Sequence, residues 1–234
     1  GRTLMAIECH SCFDWLLPAI DAYRDQWADV ELDISSGFHF APLPALARGD
    51  LDLVITADPV DDANIHYFPL FSYEAHLAIA KDHKLVARAW ISPKDLAAET
   101  LISYPIDRDR LDLYTQFLQP AGVEPAAVRH AELATTIVQL VASGRGVACL
   151  PNWALYQYLQ HDFIEVRSLG DQGVWPTLYA AVRQDQCDAP FVLAFVETAK
   201  KVCFQQLQGI VTACPPAVVS LPRACPISLT KTSW

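Results

Sequence analysis

The stretch Leu43 to Thr56, LPALARGDLDLVIT, decides the fold. Leu43 to Arg48 reads as a short helix, Gly49 as its cap, and Leu51 to Thr56 as a β-rich run ending on a polar tip. The same alternation runs upstream. Leu4 to Cys9 (LMAIEC) reads as a short buried strand, and a helical pattern follows with Leu16, Ile20, Tyr23 and Trp27 on one face. If that helix starts near Ser11 it contains Pro18, which predicts a kink or a late start. Val30 to Ile34 (VELDI) alternates apolar with acidic as a half-exposed strand does, and Ser35-Ser36-Gly37 breaks it. The result is a β-α-β-α-β series, the unit that builds a parallel sheet with right-handed crossovers.

A second series follows. Ile65 to Phe71 and Ala75 to Ala80 are strand candidates, after which Lys81-Asp82-His83-Lys84 interrupts the apolar pattern. Ser92-Pro93-Lys94-Asp95 has the form of a helix start. Thr100 to Tyr104 and Val128 to Leu133 read as strands on either side of a helix over Leu111 to Leu118. A helix then opens at Thr135 or Thr136 and ends at Gly144, and Val147 to Leu150 forms a strand stopped by Pro151. Phe163 to Leu169 and Leu178 to Val182 add two strands. Pro190 to Leu207 forms a long helix that buries Phe195, Val196, Ala199, Val202 and Cys203. The expected fold is α/β, with two Rossmann-like lobes hinged by two crossing strands near Ala80-Lys81 and Leu178-Arg183. Lobe I covers 1–80 with the 184–207 helix returning to it, lobe II covers 81–183, and 208–234 is a loosely held tail.

Composition narrows the function. Of the 234 residues 52% are hydrophobic and 19% charged, which is a folding composition. The net charge of −10, with Lys and Arg scattered singly, argues against direct nucleic-acid binding. No apolar run approaches the roughly 18 residues of a membrane span. Seven irregularly spaced cysteines predict reduced thiols and a cytoplasmic location. A chain that starts at Gly1 with strand-like residues directly after it is expected to be a fragment or a processed product.

Cys9-His10-Ser11-Cys12 is the most distinctive local motif. A C-x-x-C at a strand-to-helix junction is where a helix dipole favours a thiolate, so a thiol-redox protein or redox switch using Cys9 and Cys12 is the alternative function. A metal site lacks further ligands at suitable spacing, and no metal or cofactor is expected. The same junction offers free backbone N–H groups and the Ser11 hydroxyl, a cradle for a carboxylate. Ser35 to Gly37, Thr56 to Asp58, Tyr104-Pro105 and Ala134 to Thr136 would also lie at the carboxyl ends of strands, where open α/β sheets bind ligands. Hydrolase and phosphate-loop motifs are absent, and the acidic pairs Asp61-Asp62 and Asp107-Asp109 read as solvated turns. The chain is not expected to be an enzyme.

Leu16-Leu17-Pro18, Ala45 to Val54 (ALARGDLDLV) and Val141 to Ala148 (VASGRGVA), in this order, resemble the effector-binding domain of LysR-type transcriptional regulators, over about Arg2 to Leu207. Ile7 to Cys12, Phe117 to Val123 and Leu178 to Arg183 are similar to one branch of that family, the regulators of methionine biosynthesis. The resemblance implies a periplasmic-binding-protein-like (type II) fold and an upstream winged helix-turn-helix, absent from this chain, through which alone DNA is bound. It further implies homodimers or homotetramers that pair these domains antiparallel, with homocysteine as coregulator. Ser11 matches the ligand-facing residue after the first strand, Tyr104 and Pro105 the lip of the second lobe, and Thr135 the helix start across the cleft. Phe38 stands where many relatives carry a polar side chain. With His10, Ser36, Thr56 and Asp58 these form the expected ligand set, Ser11 taking the effector's carboxylate and Asp58 its ammonium.

Overall fold

The computed structural model describes residues 2–8, 12–35 and 41–213. The chain builds one lobe, crosses to a second and returns. The first visit comprises β1 (Arg2–Ile7), α1 (Phe13–Arg24), β2 (Glu31–Ser35), α2 (Leu43–Arg48), β3 (Leu53–Thr56) and β4 (Ile65–Tyr73). The second lobe holds β5 (Ala75–Ile79), β6 (Thr100–Ser103), β7 (Ala127–His130), α3 (Ala134–Ala142), β8 (Ala148–Pro151), α4 (Asn152–Gln160) and β9 (Glu165–Ser168). The return supplies β10 (Thr177–Arg183), α5 (Pro190–Gln206) and β11 (Ile210–Val211).

In lobe I the expected β-α-β-α-β unit gives three parallel strands, and β10, β4 and β11 extend them antiparallel in the order β11-β4-β10-β3-β1-β2. Gly49 closes α2 at φ 85°, a left-handed conformation that costs glycine little and lets the chain turn straight into β3. One face of this sheet carries α1 and α5. Cys12 at the N-cap of α1 and Trp15, Leu16, Ala19, Ile20 and Tyr23 on the helix are all buried, at the spacing of a single helix face. The Tyr23 ring meets Phe195 of α5 edge-on with centroids 5.7 Å apart, and its hydroxyl donates to the Phe191 carbonyl at 3.1 Å. Burying each such large side chain contributes about 1.5–3 kcal/mol, so this face needs no help from helix propensity. The helix starts at Phe13, two residues beyond Ser11, and runs through Pro18.

Lobe II is assembled from shorter pieces. β5 lies between β8 and β9, antiparallel to both, while β6 and β7 pair in parallel. A parallel bridge between Leu101 and Val147 joins the two groups, through Val147 N–H to Thr100 O at 2.9 Å and Ile102 N–H to Val147 O at 2.8 Å.

Several expected boundaries move. β5 belongs to lobe II and β10 to lobe I, so the crossings fall at Glu74 and at Val174 to Pro176 instead of near residues 80 and 183. The two crossing segments are hydrogen-bonded side by side, Tyr73 N–H to Pro176 O at 3.0 Å and Ala75 N–H to Val174 O at 2.8 Å. An apolar run looks the same on either side of a hinge, and only its pairing partners tell which sheet it joins. Pro151 ends β8 as expected, yet α4 opens at the next residue. Trp153 at its start reaches back into the lobe I core beside Phe71 and Tyr73. The tail begins with a short strand, since Ile210 and Val211 pair with Tyr73 and Ser72. The expected helix over Leu111 to Leu118 is a 3-10 turn (Arg108–Arg110) followed by a π-helical turn (Leu113–Leu118). Cys187 is disulfide-bonded, a departure from uniformly reduced thiols, because spacing along the chain does not reveal which cysteines the fold brings within bonding reach.

Candidate functional site

Between the lobes lies a cleft of about 160 Å³. Lobe I contributes the carboxyl end of β3 and the residues beside it, namely Ile55, Thr56, Ala57, Asp58 and Glu8. From lobe II come the end of β6 (Leu101 to Tyr104), the segment from Arg110 to Leu113, and Cys149 to Pro151 on β8. Tyr73, Ala75, Pro176 and Leu178, at the crossing strands, form its back wall. These are strand ends of an open α/β architecture, the position where binding crevices arise.

Its walls are mostly apolar, and Glu8, Asp58 and Arg110 form a charged cluster in them. Glu8, directly after β1, is held there by Thr56 and Arg110. Its Oε2 accepts a bond from the Thr56 hydroxyl, its Oε1 lies 3.0 Å from Nη2 of Arg110, and Arg110 Nε also donates to Asp58 Oδ2. The Asp58 amide donates to Thr56 Oγ1 at 3.0 Å, which keeps that loop folded back on the strand end. Arg110 comes from lobe II while both acids come from lobe I, so the two ion pairs tie the lobes together across the cleft. Only 13% of the Glu8 side chain is exposed, against 28% for Asp58 and 29% for Arg110.

Burial sets the electrostatics. Desolvation pushes the Glu8 carboxyl up to about 7, against the opposing pull of the Thr56 hydroxyl and of Arg110. Asp112 is likewise pushed up to about 6 by burial, opposed by a 2.6 Å hydrogen bond from the Gln116 amide. The Cys149 thiol, deep in the wall, is raised to about 12 by desolvation and then by the charge of Asp112, so it stays a neutral, soft, apolar surface at physiological pH. The cleft therefore presents three acids, one guanidinium and a thiol against an aliphatic floor.

Of the expected ligand set, Thr56, Asp58 and Tyr104 line this cleft. Pro105 and Thr135 are exposed and are not among the lining residues, and Thr135 sits in the first turn of α3. Ser11, His10, Ser36 and Phe38 lie outside the described residues, as does Cys9. Cys12 is fully buried in the lobe I core. Sequence reasoning missed Glu8, Arg110, Asp112 and Cys149. A lone acid closing the apolar run LMAI was the available signal for Glu8, whereas nothing in Arg108-Asp109-Arg110 distinguishes the guanidinium that turns inward. Among the described residues no group of three or more potential ligands is placed to hold a metal ion.

A two-lobed α/β domain whose crossing strands back a small mixed-polarity cleft is an effector-binding domain. The LysR substrate binding domain family matches residues 1–204. The chain belongs to the LysR family. It is similar to the HTH-type transcriptional regulator MetR of Escherichia coli (strain K12), with 42% identity over 212 residues covering 91% of this chain and 66% of that protein. MetR of Salmonella typhimurium is 40% identical over 225 residues, covering 96% of this chain and 70% of that protein. The chain thus spans about two thirds of the length of these relatives. The regulatory domain of MetR, a LysR family regulator from N. meningitidis, superposes with a TM-score of 0.82 at 38% identity, covering 92% of this chain and 99% of that one. The BenM effector binding domain with its effector benzoate has a TM-score of 0.72 at 20% identity, covers 87% of this chain and 92% of that one, and shares the fold. These relatives are transcriptional regulators and not enzymes. They lend no support to a thiol-redox protein built on Cys9 and Cys12.

Proposed function

We propose that this chain is the sensing domain of a MetR-like regulator of methionine biosynthesis genes, and that homocysteine, bound between the lobes, is its coregulator. The observation that carries this reading is the similarity to MetR over more than nine tenths of the chain. The chemistry of the cleft supports it. A volume of about 160 Å³ is small beside the roughly 300–1,000 Å³ of sites for drug-sized ligands, as suits a metabolite of a few heavy atoms. An amino-acid thiol brings an ammonium, a carboxylate and a soft sulfur, and the cleft holds partners for each in Asp58, Arg110 and the apolar wall around Cys149.

In the full regulator the chain would act as a homodimer or homotetramer in the cytoplasm, with DNA bound by a separate winged helix-turn-helix. The acidic net charge of −10 suits that division of labour. Effector binding needs no chemical turnover. It shifts a conformational equilibrium by its differential affinity for the two states, typically about 1–3 kcal/mol. Thermal unfolding with increasing homocysteine, beside methionine and cysteine, tests the assignment. Selective stabilisation should approach about 2.7 kcal/mol at a hundredfold excess over Kd. A melting temperature that ignores homocysteine at all concentrations overturns it.

A further inference from the structure

Three acids line the cleft, and among the described residues Asp112 is the one that no cation pairs with. Glu8 and Asp58 are both engaged by Arg110. Asp112 lies half-buried in the wall, where the Gln116 amide donates to its Oδ1 at 2.6 Å. It directly precedes the π-helical turn Leu113–Leu118, yet its side chain accepts no backbone N–H of that turn. Neither an ion pair nor a helix cap therefore accounts for a carboxyl at this place. The groups that meet its charge from other elements supply no positive charge either. They are Asp58 beyond β3, the Cys149 thiol on β8 and the Tyr179 hydroxyl on β10. A carboxylate held out of water beside a second acid is unfavourable, and a cationic group brought against it removes that penalty.

We propose that Asp112 is the residue of the cleft that recognises a ligand's ammonium, and that ligand and proton compete for it. This rests on the reading above only in placing a small amine in this cleft, and it moves the ammonium from Asp58, already paired, to the acid that has no cation. The ligand class is a primary ammonium on a short apolar or sulfur-bearing chain. The charge of Asp112 reaches the Cys149 thiol, so an amine anchored there lays its chain along the thiol and aliphatic wall. What holds a carboxylate at the other end of such a ligand is a separate matter. Burial lifts the Asp112 carboxyl to about 6, so the site is charged at neutral pH and mostly protonated at pH 5. The ammonium binds the ionised form. Affinity for an amine therefore falls as pH drops through that value, by close to tenfold for the first full unit below it.

The test is calorimetry at pH 7.5 and pH 5 with three probes. These are L-homocysteine, 3-aminopropane-1-thiol, which lacks its carboxylate, and 4-mercaptobutanoate, which lacks its ammonium. On the unaltered chain at pH 7.5, 4-mercaptobutanoate should bind about 30-fold more weakly than the tighter amine, or worse, the loss expected when an enclosed charge is left without its partner. Asp112→Asn keeps an oxygen for Gln116 and should weaken both amines by a similar factor while leaving 4-mercaptobutanoate unweakened. A merely structural role would weaken all three alike. From pH 7.5 to pH 5 the amines should lose about tenfold more affinity for the unaltered chain than for the variant, a comparison in which Glu8 and Asp58 cancel. If 4-mercaptobutanoate binds the unaltered chain within about tenfold of the tighter amine, Asp112 does not select an ammonium, whether or not the variant folds. A variant that keeps the amine affinities, or the full pH dependence, overturns the proposal equally. Binding of 3-aminopropane-1-thiol in the expected pattern with silence from homocysteine would remove homocysteine as effector and leave Asp112 in its role. Homocysteine binding that ignores both the substitution and pH would do the reverse. Silence from both amines would remove both.

Discussion

Replacing Glu8 by Gln isolates the cost of keeping a carboxyl inside the cleft. Desolvation pushes this carboxyl up to about 7 from its ordinary 4.5, with Thr56 and Arg110 pulling the other way. Between those two pH values the folded chain holds more protons at Glu8 than the unfolded chain does, so its contribution to stability falls as pH rises. It is fully favourable below about pH 4.5, where both states are protonated, and fully lost above about pH 7. One pH unit of displacement is worth about 1.4 kcal/mol, so the whole change is about 3 kcal/mol. Glutamine keeps an oxygen for Thr56 and Arg110 and does not titrate. Urea unfolding of both chains from pH 4 to pH 8, subtracted at each pH, cancels the other groups, including Asp112 and the lowered His66. The difference should decline by about 3 kcal/mol across that window and stay level outside it. A level difference throughout, or one that rises with pH, would mean that the bonds from Arg110 and Thr56 outweigh burial, and the electrostatic account of the cleft would be wrong.

Asp112→Asn should act with the same sign over a lower window, flattening the decline between its ordinary 3.8 and about 6, as read from the same urea series. Gly146→Ala should destabilise by about 3 kcal/mol or more. Its Cβ would stand 2.4 Å from the Thr100 carbonyl at φ 156°, forcing apart the hydrogen bonds that join β6 to β8. A loss below about 1 kcal/mol in chemical denaturation would refute the close approach. Trp153→Ala removes a buried ring that pins lobe II into the lobe I core, at a cost of about 3–5 kcal/mol. Calorimetric unfolding should then split into two steps, and a single cooperative transition would show that the crossing strands couple the lobes without it.

How much of this was legible in the sequence depended on whether a signal was local. Helix α2 was readable to the residue, because a run of apolar helix formers ends at a glycine that only a left-handed cap explains. The apolar face of α5 was readable for the same reason, since Phe195, Val196, Ala199, Val202 and Cys203 recur at helical spacing and are all buried. Helix α4 was hidden behind Pro151, whose role as a strand end masked the helix opening one residue later. The lobe boundary was misplaced because β4 and β5 are separated by Glu74 alone, and hydropathy does not register a change of sheet. In the cleft, Thr56 and Asp58 could be found from their place at a strand tip. Arg110 could not, since it meets Glu8 102 positions away in the chain and nothing local announces the encounter.

Two kinds of contact hold the lobes together, and this fixes how an effector can move them. At the back, Trp153 is packed in the opposite lobe, Asn152 N–H donates to the Glu74 carbonyl at 2.9 Å, and its side-chain amide donates to Gly209 O at 2.7 Å. None of these contacts carries charge, and an amino acid in the cleft replaces none of them. Among the described residues the lobes also meet through charge, Arg110 pairing with Glu8 and Asp58 and lying 3.0 Å from Glu8. If the effector's carboxylate takes over Arg110, that direct contact is lost. The cleft should therefore be wider at these residues in the liganded chain than in the free one, with rotation about the crossing strands at Glu74 and Val174 to Pro176. Spin labels on the exposed residues Val60 and Asp107, read by pulsed double-resonance distance measurement, should show a longer separation when homocysteine is added. A liganded crystal structure that retains the direct Arg110 to Glu8 contact would refute this displacement. The effector would then have to act through some other difference between the two states.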